Sequence, residues 1–483
     1  MSNPNPLIYD ALIIGSGQAG TPLASAFANA GQKTALIERS HIAGCCVNEG
    51  CTPTKTLIAS GRAAYLTRRG QDYGIHTQAA GAGSAGQNEV NIDMLKVRQR
   101  KRDIVNSFRG GSERRLKEAG VEVLMGEAEF VSAREVRVKM ADGSQRLVEG
   151  KKIFLNVGER PSPPKLHGIE KLARGRVLDS TSVQELDFVP EGLIVIGAGY
   201  VGVEFAQLLS RLGAGVTLLQ RGRQLLLRED ADIAEAVMKI LEEDGVKVRL
   251  ESEALSVDSG DETGFVLNVR TKEKDELIRG THILFATGRV PNTESLNLKA
   301  AGIEMNARGY IVANAFLETS APNIYALGDV KGPPAFTHIS YDDFRIIRGN
   351  LLSSSPPVAK LSTTGRFVPY VVYTDPQLGH VGLHENEARK QFPGKNIKTA
   401  KMPMSYVARA LETDESRGLM KAVVDGDSGQ ILGFTCLGIE GGEVMAVVQM
   451  AMMGGMGYQK LQDAIWAHPS LAESLNNLWG FLE

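Results

Sequence analysis

Cysteine is scarce in this chain: only 4 of its 483 residues are cysteines, and Cys45, Cys46 and Cys51 fall in one short segment. So few cysteines exclude a disulfide-stabilised secreted scaffold. We therefore expect a protein of a reducing compartment, the cytoplasm, with one redox site. The sequence also lacks a visible signal peptide and any apolar run long enough to span a bilayer, so we expect no membrane partner.

An excess of one charge sign is also missing. The chain has 54 basic and 56 acidic residues and a net charge of −2. This balance gives no general reason to expect nucleic acid or an anionic membrane as a partner. A run rich in lysine and arginine lies at 93–118, and we predict a helix whose charges face solvent there rather than a nucleic-acid site.

The first part of the chain carries a dinucleotide-binding pattern. An apolar run at 9–14 predicts a buried strand, and a G-x-G-x-x-G turn made by Gly15, Gly17 and Gly20 follows it. A helical stretch and a second strand ending in Glu38 complete the pattern. We expect the glycines to let backbone N–H groups approach a pyrophosphate, and Glu38 to accept hydrogen bonds from a ribose diol.

A second glycine turn follows the apolar run at 193–196, and its glycines are Gly197, Gly199 and Gly202. The strand after it ends without an acid, since Arg221 and Arg223 stand close behind, with Arg228 further on. An acid at this place would accept a hydrogen bond from the ribose 2′-hydroxyl of NADH, whereas arginine favours the 2′-phosphate of NADPH. The second site is therefore predicted to bind NADPH rather than NADH, with exposed arginines and loose selectivity as the alternative.

The cysteine segment leads into a predicted helix, with Gly50 and Pro53 suited to a tight turn. The free N–H groups of a helix start favour a thiolate, and a pair spaced like Cys46 and Cys51 can close a disulfide. Zinc binding would need further cysteine or histidine ligands nearby. The spacing alone leaves redox chemistry and buried packing thiols equally open.

Three later features complete the pattern. A strand at 283–287 ends at Gly288, and a strand at 323–327 ends at Asp329, whose acid can hold a sugar-like chain. A linker is predicted at 353–357. The remainder has no nucleotide motif and ends with His468 and Glu473, which can shuttle protons but by themselves favour a structural histidine.

Together these motifs, above all the segment Gly44–Lys55, resemble the class I pyridine nucleotide–disulfide oxidoreductases over essentially the whole chain. That family includes glutathione reductase, dihydrolipoamide dehydrogenase, mercuric reductase and metal-reducing relatives. The resemblance implies an α/β fold with two Rossmann-like dinucleotide-binding domains and a C-terminal α+β dimerisation domain. It implies the following domains: FAD-binding 1–157 and 287–358, NAD(P)H-binding 158–286, and interface 359–483.

The resemblance also implies residue roles. FAD would be held by the first fingerprint with Gly44, and on its ribitol by Asp329. The nicotinamide nucleotide would be held by the second fingerprint, and Tyr200 matches the aromatic residue that covers the nicotinamide pocket. Gly288 is a further candidate cofactor-binding residue. Cys51 matches the thiol that forms a charge-transfer complex with the flavin, and Cys46 matches the thiol that meets substrate. Further matches are the ion pair Lys55–Glu204 beside the flavin and the dyad His468–Glu473, which serves the other subunit of an obligate homodimer.

Two departures affect the substrate. The family usually has threonine where this chain has Cys45, which either fills a small-residue position or adds a third thiol for soft metals. We also expect no C-terminal Cys-Cys pair and no N-terminal metal-binding extension of the kind usual in mercuric reductase. The likeness to that enzyme therefore does not establish mercury as the substrate. We therefore expect an FAD-dependent NAD(P)H oxidoreductase whose acceptor is Hg(II), Cu(II) or a small disulfide.

Several alternatives stay open. A dihydrolipoamide dehydrogenase or a glutathione-reductase-type enzyme is the first. A redox-sensing or metal-sequestering flavoprotein with little turnover comes from a different class. A peroxide-forming oxidase would turn over with oxygen alone, without the cysteines.

Overall fold

The computed structural model describes residues 6–76, 90–261, 263–353 and 359–483, apart from the side chains of 259–261. Most of the predicted linker at 353–357 lies outside the described residues. By its internal contacts the chain forms two compact units. The first comprises Met1–Thr56, Gln99–Ser162 and Gly288–Arg366, and the second comprises Leu57–Arg98, Pro163–Thr287 and Phe367–Glu483.

The first unit is built on a parallel sheet around the strand Leu7–Ile14. This strand pairs with Thr34–Glu38 on one side and Gln145–Leu155 on the other. Glu122–Phe130 and Ile324–Ala326 extend the sheet outward. The inner strands read as continuous apolar runs because both of their faces are covered.

Two of these strands continue beyond the parallel layer into an antiparallel meander. Glu135–Met140 pairs with the outer parts of Glu122–Phe130 and Gln145–Leu155. Here buried and partly exposed residues alternate, as expected where one face meets the core and the other meets water. A short antiparallel pair, Glu159–Pro161 with Arg289–Pro291, also belongs to this unit.

The helix that follows the first glycine turn packs on this sheet. Gly20–Asn29 makes the contact through Phe27, whose ring lies 5.0 Å from that of Phe154. Gly44–Asn48 and Thr337–Leu352 also belong to this unit, whereas the residues of Cys51–Arg68 and Met94–Glu118 are divided between the two units.

The second unit contains a five-stranded parallel sheet followed by an antiparallel hairpin layer. The sheet order is Lys247–Arg249, Gly215–Leu219, Gly192–Ile196, His282–Phe285 and Val177–Leu178. The antiparallel layer consists of Glu253–Asp261, Gly264–Arg270 and Asp275–Gly280. The helices Tyr200–Leu212 and Ala231–Glu243 accompany the parallel strands.

The rest of this unit is a five-stranded antiparallel sheet with short helices. Its strands, in spatial order, are Tyr370–Val372, Gln377–Gly382, Ile431–Gly438, Leu419–Asp425 and Ile397–Pro403. Its helices are Glu385–Gln391, Ala408–Glu412, Gly441–Met453, Tyr458–Gln462 and Ser474–Asn477. The predicted fold class, two dinucleotide-type α/β sheets and a C-terminal α+β part, is confirmed.

The two compact units do not separate the predicted NAD(P)H-binding domain from the predicted interface domain, since 163–287 and 367–483 belong to one unit. The predicted domain boundaries therefore stay predictions. Nor does any helix in the described ranges have the length and apolar character needed to cross a membrane.

Candidate active site

The first glycine turn brings backbone atoms into close contact. The Gly20 N–H, at the start of its helix, donates to the Asn156 side-chain oxygen at 2.9 Å. A Cβ at Gly20 would lie 2.1 Å from the carbonyl oxygen of Gly15. Only glycine allows this approach, so the turn has the tight geometry that its spacing predicted.

Asn156 was not identified from the sequence, although it lies in the pocket beside the turn. Its side-chain oxygen accepts from Gly20, and its amide donates to the Leu327 carbonyl at 2.9 Å. The residue therefore ties the glycine turn to the strand end that leads to Asp329. The only sequence signal was its place at the end of an apolar strand.

Glu38 lies at the end of its strand, as predicted, and it is buried. One carboxylate oxygen accepts from the backbone and hydroxyl of Ser16, at 3.0 and 2.7 Å. The other accepts from the Ser40 backbone at 2.9 Å. These bonds fix the carboxylate in the pocket wall. A ribose diol would replace one of the serine donors, such as the Ser40 hydroxyl, which lies 3.4 Å from the second oxygen.

The cysteine segment packs directly on the first glycine turn. Gly44 adopts a φ of +67°, and a Cβ on it would lie 2.6 Å from the Cα of Gly17. One pocket is lined by the turn, Glu38, the cysteine segment and Asp329. In this pocket Glu38 is suited to bind a ribose, and Cys45 and Cys46 supply thiols. The glycines of the turn have no side chains, so a pyrophosphate can approach their backbone. These residues fit FAD.

The two predicted redox thiols are joined by a residue that the sequence did not reveal. Cys46 lies in the short helix Gly44–Asn48, and Cys51 begins the helix Cys51–Arg68. The Thr337 hydroxyl donates to the Cys46 Sγ at 3.1 Å and lies 3.4 Å from the Cys51 Sγ. The three side chains therefore form one group, and both cysteines are free thiols.

The expected thiolate is not what the structure favours at Cys46. Its hydrogen bond with Cys51 and its burial both raise the pKa of the Cys46 thiol, and the bond from Thr337 opposes them. A neutral thiol is easier to bury than a thiolate, and a shared proton stays on the pair. Cys46 consequently holds its proton at neutral pH in the reduced protein.

Cys45 contacts a second group in the same unit. The Arg289 guanidinium donates to its Sγ at 3.4 Å and lies 3.4 Å from the Glu159 carboxylate. Burial raises the pKa of the Cys45 thiol, with Arg289 acting in the opposite direction. Gly288 precedes this arginine at a φ of +119°, and the sequence had singled out only the glycine.

Asp329 follows the strand Ile324–Ala326 and lines the pocket, as expected for a group facing a sugar-like chain. Burial, together with the neighbouring Glu159 carboxylate, raises the pKa of Asp329 to about 6. Arg289 and Lys331 counteract this change. An acid with this pKa can exchange a proton near neutral pH.

The second glycine turn has the same crowding as the first. A Cβ at Gly202 would lie 1.9 Å from the Gly197 carbonyl oxygen, whereas Gly199 faces open space. Tyr200 begins the following helix, and its hydroxyl donates to Glu229 at 3.2 Å. The turn is therefore built like a pyrophosphate site, with an aromatic residue at the helix start.

The predicted phosphate-binding arginines lie at the surface. Arg221 is 81% exposed and 3.9 Å from Glu253, and Arg223 is 86% exposed and 3.3 Å from Glu251. Arg228 is also exposed. Both ion pairs are weak in water, so the guanidinium groups can exchange these partners for a ligand phosphate.

The other predicted residues occupy separate places. His468 and Glu473 come together, because Nδ1 of the histidine lies 3.0 Å from both carboxylate oxygens. Glu204 is buried and accepts from the Tyr373 backbone at 2.8 Å. Its predicted ion pair with Lys55, on the helix that Cys51 begins, stays a prediction.

Comparisons with known proteins agree with this geometry. The family model "Pyridine nucleotide-disulphide oxidoreductase" matches residues 9–343, and the model of that family's dimerisation domain matches 368–478. The probable pyridine nucleotide-disulfide oxidoreductase RclA of Escherichia coli is 36% identical, covering 98% of this chain and 99% of RclA. Mercuric reductase of Lysinibacillus sphaericus is 34% identical, covering 97% and 81%.

Dihydrolipoyl dehydrogenase of Thermus scotoductus is 33% identical, covering 97% of this chain and 96% of that protein. The solved Cu(II) complex of the HOCl-induced flavoprotein disulfide reductase RclA from Escherichia coli superposes with a TM-score of 0.86 at 35% identity. It covers 98% of this chain and 99% of that chain. The chain therefore belongs to the pyridine nucleotide-disulphide oxidoreductase family, as an FAD-dependent enzyme that also uses a pyridine nucleotide.

Proposed function

We propose that this enzyme transfers electrons from NADPH through the Cys46–Cys51 pair to a soft metal ion or a small disulfide. The observation that carries the proposal is the group formed by Cys46, Thr337 and Cys51. Cys46 and Thr337 line the first dinucleotide pocket, and the Cys51 Sγ lies 3.4 Å from the Thr337 hydroxyl. A thiol in that wall with a partner thiol beside it would exchange electrons with a bound redox cofactor. Bound FAD would supply the two-electron relay between nicotinamide and thiols.

The chain's own residues would hold that cofactor. The N–H groups after Gly15, Gly17 and Gly20 would bind the pyrophosphate, and Glu38 would bind the adenosine ribose. Gly44 allows the cysteine segment to approach this turn. Asp329 would hold the ribitol, and Lys55 with Glu204 would lie beside the flavin ring, as the family resemblance implies.

The raised pKa of Cys46 explains why the enzyme would need the histidine dyad, His468 and Glu473. A thiol that holds its proton needs a base before it can attack an acceptor. We assign this base to His468, oriented by Glu473 at 3.0 Å. Following the family resemblance, the dyad serves the other subunit of a homodimer formed through the C-terminal domain.

Reduction of an acceptor disulfide then takes two thiol–disulfide exchange steps, and the acceptor leaves as two thiols. The Cys46 thiolate attacks one acceptor sulfur, which expels the first thiol and leaves a mixed disulfide. Cys51 attacks the Cys46 sulfur, expels the second thiol and closes the Cys46–Cys51 bond. Overall, NADPH, one proton and the acceptor disulfide give NADP⁺ and two thiols.

A soft metal ion would take the same two electrons. One Hg(II) becomes Hg(0), or two Cu(II) become two Cu(I), while NADPH becomes NADP⁺ and releases one proton. The Cu(II) complex of RclA and the likeness to mercuric reductases support this acceptor. The paired His468 and Glu473 support the disulfide, because thiol leaving groups need a proton donor.

Anaerobic NADPH oxidation by the purified enzyme would separate the two acceptors. One reaction contains Hg(II) or Cu(II) buffered by excess thiol, and the other contains a panel of small disulfides that includes oxidised glutathione and lipoamide. Faster turnover with metal would make it a metal reductase. Faster turnover with lipoamide or glutathione disulfide would make it a dihydrolipoamide-dehydrogenase-like or glutathione-reductase-like enzyme.

Cysteine variants test the path itself. Cys46→Ser and Cys51→Ser should each abolish turnover with every acceptor, while NADPH still reduces the flavin of Cys46→Ser. Cys436→Ala, at a buried cysteine of the C-terminal sheet, is the matched control. Oxygen turnover that survives loss of both thiols would instead identify an oxidase. Negligible NADPH consumption with all acceptors would favour a sensing or metal-sequestering flavoprotein.

A further inference from the structure

A group of buried polar side chains in the second unit is not used by this mechanism. Glu229 accepts hydrogen bonds at one carboxylate oxygen from the hydroxyls of Tyr370, at 2.6 Å, and Tyr200, at 3.2 Å. The Tyr370 hydroxyl also lies 3.1 Å from Nε2 of His384. His380 stacks on the His384 ring. Glu229, His380 and His384 are all buried.

The direction of these hydrogen bonds follows from the single proton of the Tyr370 hydroxyl. That proton is donated to Glu229 at 2.6 Å. The hydroxyl oxygen therefore accepts from His384, whose Nε2 carries a proton and lies 3.1 Å away. Tyr200 donates to the same carboxylate oxygen at 3.2 Å.

Glu229, His380 and His384 resemble a metal site, since their ligand atoms lie within 4.8 Å of one another. The ring geometry argues against it. The imidazoles of His380 and His384 stack at 3.9 Å with an interplanar angle of 12°. A metal lies close to the plane of each imidazole that binds it, and two stacked, nearly parallel planes share no such point.

His380 is also satisfied without a metal. Its Nδ1 lies 2.8 Å from the Thr435 hydroxyl, and its Nε2 lies 3.2 Å from the Gly382 carbonyl. The carbonyl accepts the ring proton, and the hydroxyl donates to the other nitrogen. Both imidazoles therefore belong to a hydrogen-bonded network that converges on Glu229.

This network ends at the predicted nucleotide site. Tyr200 is the first residue of the helix that follows the second glycine turn, where a pyrophosphate would bind. Its ring stacks on Tyr370 at 5.4 Å, so the two tyrosines are held together by their rings and by one carboxylate. The second oxygen of Glu229 is buried and lacks a hydrogen-bond partner among the described residues.

We propose that Glu229 is a positioning residue for the pyridine nucleotide, because it fixes the Tyr200 ring at the helix start through Tyr370 and the two hydroxyl bonds. The inference rests on the proposed function only in assigning the nucleotide to the second glycine turn. A tyrosine ring that is already fixed loses no conformational entropy when the nucleotide binds. The enzyme therefore binds the nucleotide more tightly than it would with a mobile ring. Hydrogen bonds to a carboxylate are strong enough to hold it.

The test is equilibrium binding of NADP⁺ to the oxidised FAD-loaded enzyme by titration calorimetry. Glu229→Gln should weaken binding about tenfold, as expected for losing a hydrogen bond to a charged group. Tyr370→Phe keeps the ring and removes one donor, so it should weaken binding less. The limiting rate of flavin reduction at saturating NADPH should change less than about twofold in both. Glu235→Gln, an exposed position on the next helix, is the matched control.

A double variant separates positioning from general packing. Because Glu229 acts through the two tyrosine hydroxyls, the double variant Tyr200→Phe/Tyr370→Phe should weaken binding by itself, and adding Glu229→Gln to it should have little further effect. Additive losses would overturn the inference. So would affinities within twofold of the wild type, or tighter binding, in Glu229→Gln and Tyr370→Phe.

Two further outcomes have distinct meanings. Stoichiometric Zn(II) or Cu(II) that stays bound to the wild type through gel filtration, and is lost in Glu229→Gln, would replace the positioning role with a metal site. A wild-type enzyme that binds neither NADP⁺ nor NAD⁺ would overturn the proposed function together with the inference. Equal binding by the wild type and the variants overturns the inference alone.

Discussion

The hydroxyl of Thr337 donates a hydrogen bond to the Sγ of Cys46 at 3.1 Å. Thr337 lies nearly three hundred residues later in the chain, at the start of the helix Thr337–Leu352. The bond favours the thiolate of Cys46, whereas the hydrogen bond with Cys51 and burial favour the thiol and raise its pKa. Thr337 therefore acts on the proton that must leave before the pair can react.

We expect Thr337→Val to slow turnover at neutral pH by about tenfold, the effect of losing one hydrogen bond to a charged group. Without the donor, the pKa of Cys46 rises further, so the acidic limb of the pH–rate profile should move to higher pH. The measurement is kcat/KM for the acceptor from pH 6 to pH 9.

Thr337→Ser keeps the hydroxyl and should restore both the rate and the position of the profile. If serine and valine variants behave alike, the effect comes from packing of the threonine methyl group and not from the hydrogen bond.

Cys45 should be dispensable. Its thiol is buried, its pKa is raised, and no group of three or more metal-ligating side chains found within the described ranges includes it. Cys45→Thr should keep turnover within about twofold for both metal and disulfide acceptors, since the inert thiol form is neither nucleophile nor ligand. A selective loss of metal turnover, measured beside an unchanged disulfide rate, would make Cys45 a third metal-binding thiol.

The nucleotide preference should depend on the exposed arginines. Arg221→Ser should lower the ratio of kcat/KM for NADPH to that for NADH by about tenfold, because one charge-assisted bond to the 2′-phosphate is lost. Arg279→Ser, which removes an exposed arginine from an antiparallel strand of the same unit, should leave the ratio unchanged. An unchanged ratio in Arg221→Ser would reassign the preference to Arg223 or Arg228.

Mixed dimers should reveal whether His468 serves the other subunit. Cys46→Ser and His468→Ala are each expected to be inactive or nearly so as homodimers. In a heterodimer, one site combines an intact Cys46 with an intact His468, so a random mixture should recover about a quarter of wild-type activity. Co-expression followed by an activity assay of the whole dimer population measures this, and heterodimers isolated through two affinity tags should recover about half of wild-type activity. If no activity is recovered, either Cys46 and His468 of the same subunit form one site or the protein is a monomer.

The buried His380 should make the enzyme acid-sensitive. Burial lowers its pKa to about 3, so the unfolded chain takes up a proton near pH 6.5 while the folded chain does not. Stability should fall as the pH drops below 6.5. Between pH 7 and pH 5 this one histidine accounts for about 2 kcal/mol.

Thermal unfolding midpoints at pH 7 and pH 5 check this prediction. His380→Gln should lose less stability on acidification than the wild type, whereas the exposed His76→Gln should behave like the wild type. Equal pH dependence in all three proteins would mean that His380 is protonated without unfolding.

The local parts of the site could be predicted from the order of the residues alone. Both glycine turns, Glu38 and the spacing of Cys46 and Cys51 are short patterns, and their backbone geometry follows from the residues within them. The family, and with it the fold class and the FAD requirement, could be predicted from these patterns in their order. His468 and Glu473, five residues apart, also meet as a pair.

Which distant residues meet these patterns depends on the fold. Thr337 at the thiols, Asn156 at the first turn and Arg289 beside Cys45 carry no motif, and they matter because the fold brings them close. Burial then changes their chemistry. A helix start predicts a thiolate, but desolvation and a shared proton keep Cys46 protonated, and these effects depend on neighbours that the linear sequence does not reveal.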